Sequence, residues 1–215
     1  MKIIIYGCGG HAKVVADIIE KTGKDQIVSF IDDTRNDVCM CMDYPVYNSI
    51  CDSRLEGIIA GVVAIGDNCA RSYIVNKIIK QFPGFRFITA IHPASQIGLG
   101  VIIGEGTVVM SGVSVNVDTS IGRHCIINTS SSIDHDCKIG DYVSVAPGVV
   151  MGGNVSVGES TAVGLGSRII HKISIGRNTV IGAGSLVTRS VADNIVAYGS
   201  PCKFVRNRNY GDRYL

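Results

Sequence analysis

From Ile97 onward the chain repeats itself every six residues. Ile97, Ile103, Val109, Val115, Ile121, Ile127, Ile133, Ile139, Val145, Met151, Val157, Val163, Ile169, Ile175, Ile181 and Val187 stand six apart, and every one is aliphatic. The array runs to Ala192 without a slip of phase, sixteen hexads in 96 residues. Such a period belongs neither to a helix nor to a plain strand. Glycine follows the aliphatic residue at nine of the sixteen hexads, and the fifth position is mostly small or β-branched (Val101, Thr107, Val113, Thr119, Cys125, Ser131, Cys137, Val143). This pattern predicts a parallel β-helix in which each hexad is a short strand plus a corner, paired with its counterpart in the next coil. Stacked inward aliphatics make a dry core, each contributing roughly 1.5–3 kcal/mol.

Ahead of the array the pattern changes. Lys2 to Tyr6 reads as a buried strand, Gly7-Cys8-Gly9-Gly10-His11-Ala12 as a glycine turn, and Lys13 to Lys21 as a helix with apolar residues at Val14, Val15, Ile18 and Ile19. A second strand over Ile27 to Ile31 ends in Asp32-Asp33, about twenty residues past the glycines, where a Rossmann-type unit places the acid that meets a ribose. The glycine spacing also fits a plain tight strand-to-helix turn. After a loop-like stretch through Tyr44-Pro45, a strand (Gly57 to Ile65), a helix (Cys69 to Gln81) and a further strand (Phe85 to Ala90) follow. One small βαβ half suits a mononucleotide such as UDP better than a dinucleotide. The expected division is residues 1–90 as an α/β Rossmann-like nucleotide-binding domain and 91–215 as an all-β solenoid with a C-terminal cap, joined by Ile91-His92-Pro93-Ala94.

A formal net charge of +2 argues against a general nucleic-acid binder. No segment approaches the ~18 apolar residues of a spanning helix, and the first residues are too short an apolar run for a signal peptide, so a cytoplasmic protein without membrane partners is expected. Eight scattered cysteines, with no C-x-x-C pair, argue against both a disulfide framework and a zinc site. Cys125 and Cys137 fill the small slot of their hexads and read as core filler; Cys39-Met40-Cys41 has no explanation at this level.

The hexad pattern resembles the left-handed β-helix of the hexapeptide acyltransferases, in which three hexads make one triangular coil; the handedness comes from that resemblance, and sixteen hexads would give a little over five coils. Gly-x-Gly-Gly-His-Ala-Lys near the start, Asp32-Asp33, Ile91-His92-Pro93, and Asn128-Thr-Ser-Ser-Ser-Ile-Asp-His-Asp136 together resemble the bacterial nucleotide-amino-sugar and sialic-acid acetyltransferases. The resemblance implies acetyl transfer from acetyl-CoA to the amino group of a nucleotide-linked amino sugar of the UDP-4-amino-4,6-dideoxy type, or O-acetylation of a sialic or related nonulosonic acid in the sister branch. It also implies a homotrimer with CoA between neighbouring barrels; no metal is expected from the residues themselves. Carried over by motif, Gly9, Gly10, His11, Asp32, Asp33 and Gly66 match the sugar-nucleotide site, while Ser144, Leu165 and Ala183 match acetyl-CoA contacts. Val196-Ala-Tyr-Gly-Ser-Pro-Cys-Lys203 resembles the family's closing motif and would cap the barrel.

His135 is the candidate catalytic residue. It takes the third position of the hexad begun by Ile133, a corner pointing away from the core, and an imidazole there can accept a proton near neutral pH. Asp136 is the carboxylate that would orient the ring; the family more often has Glu. A solvated corner histidine between ordinary surface acids is the alternative, and one histidine with two carboxylates makes a poor zinc site. His124 and His171 read as surface residues. From Arg168 onward eight bases face two acids, either a cationic rim for the phosphates of CoA or a solvated tail.

Overall fold

The computed structural model describes residues 1–34, 39–51 and 55–213. Its first third is a twisted sheet built around β1 (Lys2–Tyr6), β2 (Gln26–Ile31), β3 (Cys39–Cys41), β4 (Tyr44–Tyr47), β5 (Ala60–Val63) and β6 (Arg86–Phe87), in the spatial order β3-β4-β2-β1-β5-β6. All pairs are parallel except β3 with β4. The stretch expected to be a loop around Tyr44-Pro45 is therefore a hairpin on the sheet edge, with Cys41 buried in it. Alternate β1 side chains point to opposite faces: Ile3 and Ile5 pack with α1 (Gly10–Thr22), Ile4 and Tyr6 with α2 (Asn68–Gln81). Both sheet faces are covered, as the continuous apolar run of β1 requires.

Strand order reverses between β1 and β5, and a crevice opens there at the carboxyl ends of the strands. Gly7 makes the turn out of β1 with φ +108, and a Cβ there would lie 2.7 Å from the Ala64 carbonyl oxygen. Only glycine fits that approach.

The expected single strand Phe85–Ala90 is two strands in two sheets. Residues 86–87 end the first sheet, and β7 (Ala90–Ile91) is already a rung of the solenoid, pairing with Val108 and Val109. Ile91 is in phase with the hexads, so the array starts one hexad earlier than Ile97, and no separate linker exists at 91–94. The reason is economy of chain: a rung needs only two residues, so the strand signal of Phe85–Ala90 can be shared between two sheets.

Rungs of two residues pair in parallel with rungs 18 residues away, Val108 with Ile126 and Ile126 with Ser144. Three hexads thus make one coil with three flat faces. The face that starts with β7 can be called the first; the second starts at Gln96–Ile97 and the third at Ile102–Ile103. Fourteen of the sixteen inward aliphatics, Val109 through Val187, are buried; Ile97 and Ile103 in the first coil are partly open. Every sixth residue from 100 to 184 has a positive φ, and nine of these are not glycine, among them Asp118, His124, Ser130, Asp136 and Tyr142. A left-handed residue at each corner is what turns the chain by a third of a circle in so few residues.

Fifth-position residues do more than fill space. Thr107 Oγ1 donates to the Gly122 carbonyl and accepts from Cys125 N, and Thr119 and Thr161 make the same pair of contacts, each with the coil that follows it. Cys125 and Cys137 are fully buried, as expected of core filler, and their thiols face the carbonyls of Gly140 and Gly152 where a threonine hydroxyl would. The last coil shortens to 16 residues: Val180 pairs with Val196, and residues 203–207 fold back antiparallel to close the end. Arg208 is buried against Asn178 there, so it is a structural part of the cap and not of a cationic rim.

Candidate active site

Asp134-His135-Asp136 forms the corner between the second and third faces. Both neighbouring coils pin it. On one side Thr119 Oγ1 donates to the Asp134 carbonyl and Asp136 N to the Val117 carbonyl; on the other Asn154 N donates to the His135 carbonyl. The Asp134 carboxylate accepts from Asn116 Nδ2 and from His135 N, which hold its pKa below the usual carboxylate range. Asp134 thus acts as a backbone clamp.

The His135 ring stands free, with its side chain about half exposed, and Nδ1 lies 2.7 Å from Asp136 Oδ2. That hydrogen bond raises the imidazole pKa; desolvation opposes it, and the charges of Asp134 and Asp136 add smaller upward pushes. With Nδ1–H donating to the carboxylate, the lone pair sits on Nε2. The ring lies over Gly153 in the next coil, where a Cβ would stand 2.6 Å from Cε1 and Nε2. Sequence reasoning passed over Gly153. The signal was present: among the sixteen third positions of the hexads, glycine occurs once, one coil after His135.

On the first face a cavity of about 480 Å³ opens between the solenoid and the strand-order crevice. His11 and Gly66 line it from the α/β side, and Ser144, Leu165 and Ala183 from the solenoid, with Asn128 and Pro147 at the same wall. Five residues expected at two separate sites therefore share one chamber. Gly9 and Gly10 begin α1 beside it with open space around them, and the first-turn N–H groups have no partner within the helix. Asp32 and Asp33 are not in its lining. Asp32 closes a turn on Thr34, while Asp33 accepts from the Tyr6 hydroxyl at 2.7 Å and from Lys77 at 2.9 Å. Burial opposes ionisation of Asp33, but those two donors outweigh it and lower its pKa; the same burial and carboxylate push the Tyr6 pKa up.

Two residues behind the cavity were not anticipated. Arg71, on α2, is 1% exposed and lies between the two walls. His124, expected on the surface, is buried: its ring stacks on Tyr142 and meets Phe87 edge-on. The correction follows from packing, because α2 and β6 cover that solenoid corner; His171, by contrast, is exposed. Burial and the nearby Arg71 cation lower the pKa of both His11 and His124 to about 4. Among the described residues no group of three or more His, Cys, Asp or Glu could hold a metal ion, and no helix is long and apolar enough to cross a membrane.

An uninterrupted hexad solenoid carrying an α/β unit at its head, with a chamber where they meet, defines the class of hexapeptide transferases. Residues 2–78 match the PglD N-terminal domain family, and residues 118–153 match the bacterial transferase hexapeptide family (six repeats). A perosamine N-acetyltransferase from Caulobacter crescentus, crystallised with CoA and GDP-perosamine, superposes with a TM-score of 0.89 at 35% identity, covering 96% of this chain and 98% of that one. The acetyltransferase domain of PglB from Neisseria gonorrhoeae, in complex with acetyl coenzyme A, gives 0.87 at 29% identity over 95% and 98%. A UDP-N-acetylbacillosamine N-acetyltransferase from Bacillus subtilis is 34% identical over 112 residues; that match spans 51% of this chain and 51% of the relative's length. The chain belongs to the hexapeptide-repeat family of sugar N-acetyltransferases, whose solenoid is the left-handed β-helix.

Proposed function

We propose that this protein moves the acetyl group of acetyl-CoA onto the amino group of a nucleotide-linked amino sugar, of the 4-amino-4,6-dideoxy type, with His135 as general base and Asp136 as its orienting carboxylate. The observation that carries this reading is the Asp136–His135 pair, with Nε2 presented on an outer corner over Gly153. Nε2 takes a proton from the sugar ammonium, directly or through a water, and the amine attacks the thioester carbonyl. The tetrahedral intermediate collapses and the C–S bond breaks; the extra proton left on the nitrogen passes to the departing CoA thiolate or to water, and a neutral amide remains on the sugar.

Gly9, Gly10, His11 and Gly66 are proposed for the sugar nucleotide, with Asp32 and Asp33 at the nucleoside end; Ser144, Leu165 and Ala183 are proposed for acetyl-CoA. Residues 1–90 and 91–215 divide the work in this reading. His135 sits on a different corner from the cavity, so within one chain the base and the chamber do not meet. A second copy brings them together. Exposed Leu99, Val117, Val150 and Ile170 surround the His135 corner and supply an apolar surface for that copy, and a three-fold ring is the closed arrangement that repeats such a contact. The eight cysteines, none of them in a disulfide, fit a reducing compartment, the cytoplasm.

A panel of nucleotide amino sugars, monitored by thiol release from acetyl-CoA, tests the reaction. Release with an amine-bearing acceptor and none with the matching hydroxyl sugar is expected; the opposite preference would overturn it. Light scattering at working concentration tests the trimer, and a monomer mass with full turnover would exclude a shared site.

A further inference from the structure

Arg71 ties both walls of the cavity to a single side chain. Nε donates to the His124 carbonyl at 2.8 Å; Nη1 donates to the carbonyls of Ile65 (2.7 Å) and Gly66 (2.8 Å); Nη2 donates to the Tyr142 carbonyl and to Ser144 Oγ, each at 3.0 Å. All five N–H groups are used. The residues so held come from the crevice turn after β5 and from two successive coils, since His124 and Tyr142 are corner residues 18 apart. Gly66 and Ser144 are themselves cavity wall. Asp67, the next residue, caps α2 by accepting from Ala70 N, so the helix that carries Arg71 starts from the turn that Arg71 grips.

We infer that Arg71 is a positioning residue for acetyl transfer: by fixing the Gly66 turn against Ser144 it sets the separation of the two substrate half-sites. A buried guanidinium bound to four carbonyls and a hydroxyl has a rigid planar fork, and lysine, a point charge with three donors, cannot hold five acceptors in that plane. The geometry differs from that of an ordinary core contact. An apolar seam could hold the two regions together with less demand on charge burial, but it would not specify a distance between two particular turns. Misplacement of reacting groups by about 1 Å can cost on the order of 100-fold in rate.

This inference rests on the acetyltransfer reading above, and the experiment separates the two. Arg71→Lys is compared with wild type in thiol release per folded molecule, with acetyl-CoA and nucleotide-sugar affinities measured singly by calorimetry. Positioning predicts kcat lowered roughly 10- to 100-fold with each Kd within about threefold, because each half-site keeps its own residues. Unchanged kcat per folded molecule with a lower Tm would make Arg71 merely structural; loss of affinity for one ligand with kcat intact would assign it to that half-site alone. Either result overturns the inference. Should Arg71→Lys fail to fold, Arg71→Gln keeps a planar group at the same place without the buried charge: reduced kcat with both affinities retained supports positioning, and loss of either affinity with kcat intact refutes it. A wild-type chain inactive toward every amine acceptor would sink the functional reading and this inference with it, whereas an active wild type beside a fully active Arg71→Lys sinks the inference only.

Discussion

The solenoid and the α/β head use the same backbone chemistry, parallel strand pairing, in opposite ways. In the head, strands of two to six residues are set by long-range packing against two helices, and apart from the β3–β4 hairpin neighbouring strands are separated by a crossover or more. In the solenoid, rungs of two residues pair at an offset of 18 until the last coil, and a left-handed residue recurs at the corner between them from coil to coil. The regular region makes its exceptions visible. His135 stands out because everything around it repeats, while Arg71, which joins the two regions, hides within an ordinary helix. In the proposed reading, function collects where the repeat is broken or where the two regions touch.

The largest expected effect lies on the solenoid side. His135→Ala should lower kcat about 10²- to 10⁴-fold, the range of a positioned general base, with acetyl-CoA affinity unchanged by calorimetry. An undiminished rate would mean that the broken hexad is decorative and that the seam carries the chemistry.

Acid should act on the head and the seam first. His11 and His124, both with pKa near 4, gain a proton more easily in the unfolded chain, where the ordinary value is 6.5. Between pH 6.5 and pH 4 the unfolded state therefore binds more protons, and stability falls as pH falls through that window. Each histidine contributes on the order of 2 kcal/mol by pH 5, read as a drop in Tm from pH 7 to pH 5. His124→Asn should flatten that slope; a slope unaffected by removing either histidine would place the acid sensitivity elsewhere.

Two glycines sharpen the contrast. Gly7→Ala in the head forces a side chain at φ +108 against the Ala64 carbonyl, and should cost at least ~2 kcal/mol of stability in denaturant melts. For Gly153→Val in the solenoid, the three atoms nearest the new Cβ all belong to the His135 ring, which can swing aside. Its Tm should stay near wild type while kcat falls roughly 10-fold, because the ring loses its aim. Were Gly153→Val to unfold the protein, the assignment of that glycine to the imidazole would fail.

The smallest effect belongs to Asp136. Its carboxylate raises the His135 pKa, so kcat/KM should fall as pH drops through that raised value. In Asp136→Asn the acid limb should move to lower pH and the plateau fall about 10-fold, since a weaker, less oriented base remains. A pH–rate profile of the two proteins checks both. A limb that stays in place would mean it reports the amine's own ionisation.

By itself the sequence determined the solenoid, its period, its buried cysteines and the place of His135, because a hexad repeat carries its pairing rule locally: each residue's neighbour is the one 18 away. The strand–turn–helix at the start was legible for the same reason, its glycines and apolar spacing being local. Only the tertiary structure decided the rest. It buried His124 under α2 and Phe87, divided Phe85–Ala90 between two sheets, and laid Ile91 as the first rung. It also brought His11 and Gly66 into one chamber with Ser144, Leu165 and Ala183. These depend on how a head with no repeat docks on a solenoid with one. No local pattern encodes that docking, because Arg71 reaches carbonyls 53 and 71 residues away, and every residue has a carbonyl to offer.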